Sequence, residues 1–449
     1  MKRFLFVLLT LIVSVHGAEN IETWFKEGTV KGNIKYYFIE TKKDIPGKPS
    51  TSAHANSIGG SLNYTTGSLN GFQMGATFMT TNGFALPNVV DTSVLGRDNG
   101  VRFNGTPEQK AEIAKKSFSV LGEAFIKYNY KGLSAVYGRQ VIKTSLIHAK
   151  DVRMIPSAVQ GAFVNYKMEY GTGLGAAYLT HFKQRTSDHF TNIVKHALGD
   201  KTKAITGDDE GKVLLIDGVY KTDKTEVKLY NYYADNFINS FYADAGFKNK
   251  FGSGWSYNAG VQYINQMSVG NADDNLANDT TLAGGKIASN AFGFKLGMGY
   301  RESKLGLAFT KVLSDSGKHD SLVLPWDGTP LFSNMITSND LFQSNYGKTL
   351  NADSIYIGGS AGIKLAYTQK YDFTGVKGLK TVVSYLNVDN SKFDNKQRDY
   401  NAVLAYGIRD FTLALKGIWV RHNSSANAQG TVSQIDKLTQ YRVIANYTF

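Results

Sequence analysis

The chain has 449 residues, no cysteine and a formal net charge of +13 at pH 7. The lack of cysteine excludes a disulfide scaffold, and 46 Gly, 26 Tyr and 26 Phe against 7 Pro favour strands and turns over helices. A mean hydropathy of −0.25 looks soluble, but it also suits a barrel in which only alternate residues meet lipid.

The start of the chain reads as a leader. Lys2 and Arg3 form a positive n-region, Phe4 to Val15 is apolar over signal-peptide length, and Gly17 and Ala18 are small. Cleavage after residue 17 or 18 is expected, leaving 19–449 as a single domain exported to a Gram-negative outer membrane. Without Lys2 and Arg3 the formal charge of +13 falls by two. Nucleic acid, the usual partner of a basic chain, is not expected for an exported protein. Past residue 20 no apolar run is long enough to cross a membrane as a helix.

From residue 30 onward, short segments alternate apolar and polar residues between clusters of Gly, Asn, Asp and Ser. A strand turns its side chain over at every residue, so each segment has one greasy and one wet face. Val30, Ile34, Tyr36 and Phe38 share a face; Lys31, Asn33 and Lys35 share the other. A polar stretch over 39–55 reads as a loop. A second, 81–117, contains Thr106 to Lys116, which reads as a short helix with Thr106 as N-cap and Pro107 in its first turn. Tyr130-Lys-Gly-Leu133 is a tight turn. The next segment, 137–161, breaks the alternation. It carries Arg139, Lys143, Lys150 and Arg153 together with apolar residues and Pro156. A loop both basic and apolar is expected to fold into the barrel, burying Ile147, Met154 and Ile155 and aiming the bases at the pore.

Further along, Tyr170-Gly-Thr-Gly-Leu174 is another tight turn and 184–212 another long loop. His181, His189 and His196 in that region read as solvated histidines, since their spacing suits no helical ligand pair. Phe241 to Phe247 and Trp255 to Tyr263 alternate cleanly across Lys250-Phe-Gly-Ser-Gly254. Phe292 to Tyr300, Ile363 to Tyr367, Leu379 to Tyr385, Tyr400 to Ile408 and Phe411 to Trp419 follow, with long loops expected at 268–288, 313–352 and 421–437. The acids Asp208 to Glu210, Asp273, Asp274 and Asp279 lack the spacing of a calcium loop. The last segment puts Tyr441, Val443, Ala445, Tyr447 and Phe449 on one face and Arg442, Asn446 and Thr448 on the other, with Ile444 the apolar exception.

Short turns alternating with long loops imply an all-β fold, a transmembrane antiparallel β-barrel of about eighteen strands with an inward-folded constriction loop. An even strand count places both termini on the periplasmic side. The polar face then lines the interior. It carries Lys31, Lys35, Lys127, Lys167, Lys228, Lys248, Lys295, Lys364, Lys380, Lys416 and Arg442, against the acids Glu123, Glu226 and Asp244. A water-filled tube lined by one sign of charge concentrates the opposite ion, so small anions and carboxylates are favoured.

Three pieces of the sequence carry a resemblance. Gly138-Arg139-Gln140 at a strand end, Asp151-Val-Arg153-Met-Ile-Pro156, and Gln160-Gly161 opening the next strand resemble the signature of the OprD family of outer-membrane porins. The resemblance implies a monomeric eighteen-stranded barrel narrowed by inward loops, with a ladder of bases guiding amino acids, small organic acids or peptides. It implies that Arg153 organises the inward loop, with Arg139, Lys143 and Asp151 beside it. The family often has Ser where Val152 stands, and a Gln-Thr-Phe-type stretch where Ser157-Ala-Val stands, so the choice of solute does not transfer. Tyr447 and Phe449 resemble the terminal signal read by barrel-assembly machinery. Lipid, lipopolysaccharide and small solutes are the other expected partners; the residues leave a homo-oligomer open. No cofactor, metal or enzymatic activity is expected, because no nucleophile elbow or phosphate loop occurs. The alternative function is an adhesin or structural barrel whose long loops bind a host or matrix.

Overall fold

The computed structural model describes residues 18–44, 47, 49–83, 117–149, 153–279, 284–336, 358–390, 395–423 and 437–449. The expected leader, apart from Ala18, and the expected helix over 106–116 lie outside these residues. The strands are β1 (Thr29–Asp44), β2 (Thr51–Thr65), β3 (Phe72–Gly83), β4 (Phe118–Tyr130), β5 (Leu133–Gln140), β6 (Ala158–Lys167), β7 (Thr172–Lys183), β8 (Thr191–Asn192), β9 (Val213–Lys221) and β10 (Thr225–Ala234). They continue as β11 (Ile238–Phe251), β12 (Trp255–Ser268), β13 (Ala288–Tyr300), β14 (Ser303–Val312), β15 (Ser360–Lys370), β16 (Leu379–Asn390), β17 (Asn395–Ile408), β18 (Phe411–Asn423) and β19 (Lys437–Thr448). Short helices are α1 (Ile21–Lys26), α2 (Ile193–Leu198), α3 (Thr202–Thr206) and α4 (Asn271–Asn278).

Eighteen strands form a closed antiparallel barrel in chain order, and the two-residue β8 is an extra strand on β7. The seam is β1 against β19, from Asn33 opposite Thr448 to Asp44 opposite Lys437. Closure leaves no strand edge unpaired, as lipid requires.

Alternation decides what faces where. On β14, Leu305, Leu307 and Phe309 are 51%, 43% and 39% exposed, while Ala308 and Thr310 on the other face are 8% and 0%. Large apolar side chains therefore cover the outer wall, and their neighbours point inward. At one end of the barrel the links are short. Lys131 and Gly132 join β4 to β5 with positive φ at both residues, the geometry a two-residue hairpin turn needs. Long links gather at the other end.

Three features differ from the sequence reading. The stretch 39–55 is mostly strand, because Glu40 and Lys42 are opposite His54 and Ser52 and extend β1 and β2 past the apolar band. At the loop end, β10 and β11 are joined by only 235–237. The inner wall is also not uniformly polar. Tyr37, Ile39, Ala55, Met79, Phe118 and Val120 point inward and are buried, since an inward loop packs on them.

Candidate functional site

The loop joining β5 to β6 (141–157) folds into the barrel. Its Met154 and Ile155 are buried against Tyr37, Ile39, Met79 and Phe118, and Ile444 packs on the same cluster. The apolar exception in the last strand thus has a partner. The other end of the loop is buried as well: Leu146 and Ile147 lie in the larger cluster with Tyr232, and the backbone N–H of Leu146 donates to the Tyr232 hydroxyl at 3.2 Å.

The loop between β14 and β15 runs down the inner wall. Gln266 on β12 donates to the Val323 carbonyl and accepts from the Val323 N–H. Gln262, four residues along the same face, donates to the Pro330 carbonyl. Ser333 donates to Thr310 on β14, and the Ile336 N–H donates to Asn401 on β17. The long β7–β9 loop supplies α2, whose Ile193 carbonyl accepts from the Trp326 indole at 2.9 Å.

All three loops meet at Asp327. Its carboxylate accepts from the Ser157 hydroxyl of the first loop and pairs with Arg185 of the β7–β9 loop. Its backbone bridges to Ile147. Asp327 has φ of +60°, a left-handed conformation that costs energy for a residue with a side chain. The bonds around it hold that conformation in place. Beside this knot, Lys183 is fully buried and donates to the carbonyls of Pro156 and Gln184. The His196 ring on α2 lies against Phe182, tilted by 44° with ring centres 4.6 Å apart. Burial lowers its pKa to about 4, opposed by the charge of Asp327 and assisted by that of Arg185. It is therefore not a solvated loop histidine.

The inward bases fall into two tiers. Lys35, Lys295, Lys364, Lys416 and Arg442 lie five or six residues from the turn end of their strands, roughly 17–20 Å along the strand. Three of these hold loops. Lys35 donates to the Arg153 carbonyl at 3.2 Å, Lys364 donates to the Asn334 carbonyl, and the Lys295 ammonium sits 4.0 Å over the Phe332 ring. Lys416 and Arg442 are directly opposite each other, and Arg442 donates to Gln440 at 2.7 Å. Arg153 is buried against the wall at the loop tip. The second tier, at the turn end, includes Lys31, Lys127, Lys167, Lys228, Lys248 and Lys380.

The sequence reading missed Lys221, Lys250, Lys304 and Lys370 in this second tier, because they stand at strand ends that read as turns. The spacing of Lys370 from Lys364 on one strand was the available signal. It also missed the inward acids Asp217 on β9 and Asp399 on β17. Asp399 accepts from Asn401 at 2.6 Å. Lys228 pairs with Glu226 at 3.0 Å, so part of the basic excess is neutralised on the β9–β11 wall.

Arg139 is not among the inward bases. It is directly opposite Gln160 and follows the parity of Tyr137, which is 66% exposed on the outer wall. Its guanidinium donates to Gln160 and lies 4.5 Å over the Phe190 ring. The neighbouring Gly138 explains the glycine: its φ of +131° brings the backbone against Ala124 of β4, where a side chain has no room. Lys143 is exposed in the inward loop, bridged to His148 through the backbone. Asp151 lies outside the described residues.

A family model described as "outer membrane porin, OprD family" matches residues 24–449. No curated protein matches by sequence. Among solved structures, Pseudomonas aeruginosa OccK8 (OprE) is similar with a TM-score of 0.73 at 15% identity, covering 95% of this chain and 99% of that one. P. aeruginosa OpdK with vanillate gives 0.69 at 14%, covering 95% and 99%. P. aeruginosa OccK2 (OpdF) in complex with glucuronate gives 0.68 at 14%, again covering 95% and 99%.

Proposed function

Because the chain belongs to the OprD family of outer-membrane porins, we propose that it is a passive diffusion channel that prefers small carboxylate-bearing solutes. The observation that carries this reading is the mid-barrel tier of bases at the level where the inward loops narrow the lumen. A solute gradient drives transport through such a channel, so the protein needs no cofactor. Lys416 and Arg442, opposite each other on the wall, set two adjacent positive charges at this level, and their field attracts a carboxylate although Arg442 itself is buried. The acids Asp217, Glu226 and Asp244 line the opposite wall on β9, β10 and β11, giving the lumen one basic and one partly acidic side. Vanillate and glucuronate, the molecules seen with OpdK and OccK2, both carry a carboxylate. In this reading the long loops face outside, the short turns face the periplasm, and residues 1–17 direct export.

The test is the reversal potential of single channels in a salt gradient. Replacing Lys416 and Arg442 together by Ala is expected to move selectivity toward cations. An unchanged reversal potential rejects the role of these bases, and a protein that conducts nothing rejects the channel itself.

A further inference from the structure

The outer face of β16–β19 departs from the rest of the wall in charge and in shape. Arg398 on β17 is directly opposite Arg421 on β18, and Arg421 is opposite Lys437 on β19. All three are exposed and follow the outward parity of Tyr400, Trp419 and Tyr441. Like charges directly opposite on neighbouring strands repel. Lys437 is in register with Asp44 on β1. No acidic side chain among the described residues pairs with Arg398 or Arg421.

Two residues nearer the turn end lies a row of aromatics. Tyr385 is opposite Tyr400, with ring centres 4.9 Å apart, and Tyr400 is opposite Trp419. Aromatic rows of this kind mark the boundary between hydrocarbon and headgroups. The arginine row therefore stands at headgroup height.

Two residues deeper again, the row reads Val383, Ala402, Gly417, Tyr441. Only a methyl group stands at Ala402, and the Trp419 ring lies over Gly417 beside it. The result is an apolar groove of about 420 Å³ bordered by Val383, Leu404, Leu415, Tyr441 and Val443.

We propose that this face binds one membrane lipid with a phosphate monoester headgroup from the leaflet on the loop side. Its phosphate oxygens accept from the guanidinium groups of Arg398 and Arg421, and one acyl chain lies in the groove between Val383 and Tyr441. The planar fork of arginine matches a phosphate with paired N–H bonds, and a dianion between the two arginines converts their repulsion into attraction. A free phosphate ion satisfies the arginines but leaves the groove unused, which is why a lipid is the better occupant. The inference rests on the barrel spanning a bilayer, not on what the lumen conducts.

The experiment is native mass spectrometry of the detergent-solubilised full chain with phosphatidic acid, with phosphatidylcholine of the same acyl chains, and with inorganic phosphate. One phosphatidic acid is expected to stay bound, at least tenfold more tightly than phosphatidylcholine. Arg398→Gln with Arg421→Gln is expected to remove that preference. Ala402→Leu, which fills the groove and leaves the arginines, is expected to weaken binding at least tenfold. Each variant is first shown to keep wild-type conductance in a bilayer, since none of these side chains faces the lumen. Equal binding of the two lipids overturns the headgroup assignment. Full displacement by inorganic phosphate at the lipid's own concentration, or tight binding by Ala402→Leu, overturns the acyl groove.

Discussion

Single residues decide how firmly the constriction is built. Asp327 joins three loops through one carboxylate, and Arg185 is its buried counter-ion. Asn tolerates positive φ, so Asp327→Asn keeps the backbone and removes only the charge. Asp327→Asn removes the counter-charge of Arg185 in a nearly dry site, so faster amide exchange in the three loops and noisier single-channel current are expected. Adding Arg185→Met to Asp327→Asn is expected to recover part of that loss, because the guanidinium that lost its counter-charge is then gone. His196 makes the same region sensitive to acid. Its pKa is lowered by burial to about 4 from 6.5. The docked helix α2 thus keeps its full stability above pH 6.5 and loses it as pH falls toward 4, by at most about 3 kcal/mol. Protease cleavage within 184–212, compared at pH 7.5 and pH 4.5, measures this, and His196→Phe is expected to flatten the response. Neither residue was legible as part of the site. Asp327 and Arg185 are far apart in sequence, and only folding brings a loop acid and a loop base together.

At the level of elements, strands were legible and loops only partly so. Period-two alternation survives wherever lipid faces one side of a strand, which is why Trp255 to Tyr263 and Phe292 to Tyr300 read cleanly. The alternation fails past the apolar band, where the outer face turns polar at Glu40 and Lys42 while Ile39 and Thr41 are buried on the inner face, so 39–55 read as loop. The expectation that 137–161 aims its bases at the pore fails for Arg139, an outward charge on β5 beyond the apolar band. The inward fold of 141–157 was legible because Ile147, Met154 and Ile155 are too apolar for a loop in water; all three are buried. The companion loop carried the same sign in Leu322, Val323, Leu324, Trp326 and Leu331, all of them buried, but it was read only as a polar stretch. The last strand lends itself to a test. The Phe449 N–H and carbonyl both bond to Gly32 of β1, at 3.0 and 2.9 Å. Deleting Phe449 removes both bonds at the seam and is expected to lower the amount of assembled barrel in membranes while leaving the reversal potential of the channels that do assemble unchanged.

For the molecule as a whole, the outer wall and the lumen obey opposite rules of substitution. Leu307→Arg places a charge on the lipid face near the middle of β14 and is expected to cost about 2–4 kcal/mol in denaturant unfolding from vesicles. Lys380→Gln on the watery inner wall is expected to change that stability little. Architecture was therefore readable from pattern alone, because the bilayer imposes it on every strand. The path of the loops was not, because it is set by contacts between distant segments. The seam adds a consequence in time. Asn33 bonds to Asn446, 413 positions later in the chain. Bringing such ends together costs roughly 5 kcal/mol of chain entropy before any seam bond forms. Every other neighbouring pair of barrel strands is local in the chain and can zip up as a growing sheet. The ring closes last, and until the final strand arrives the protein is an open ribbon with two bare edges, dependent on something else to shield them.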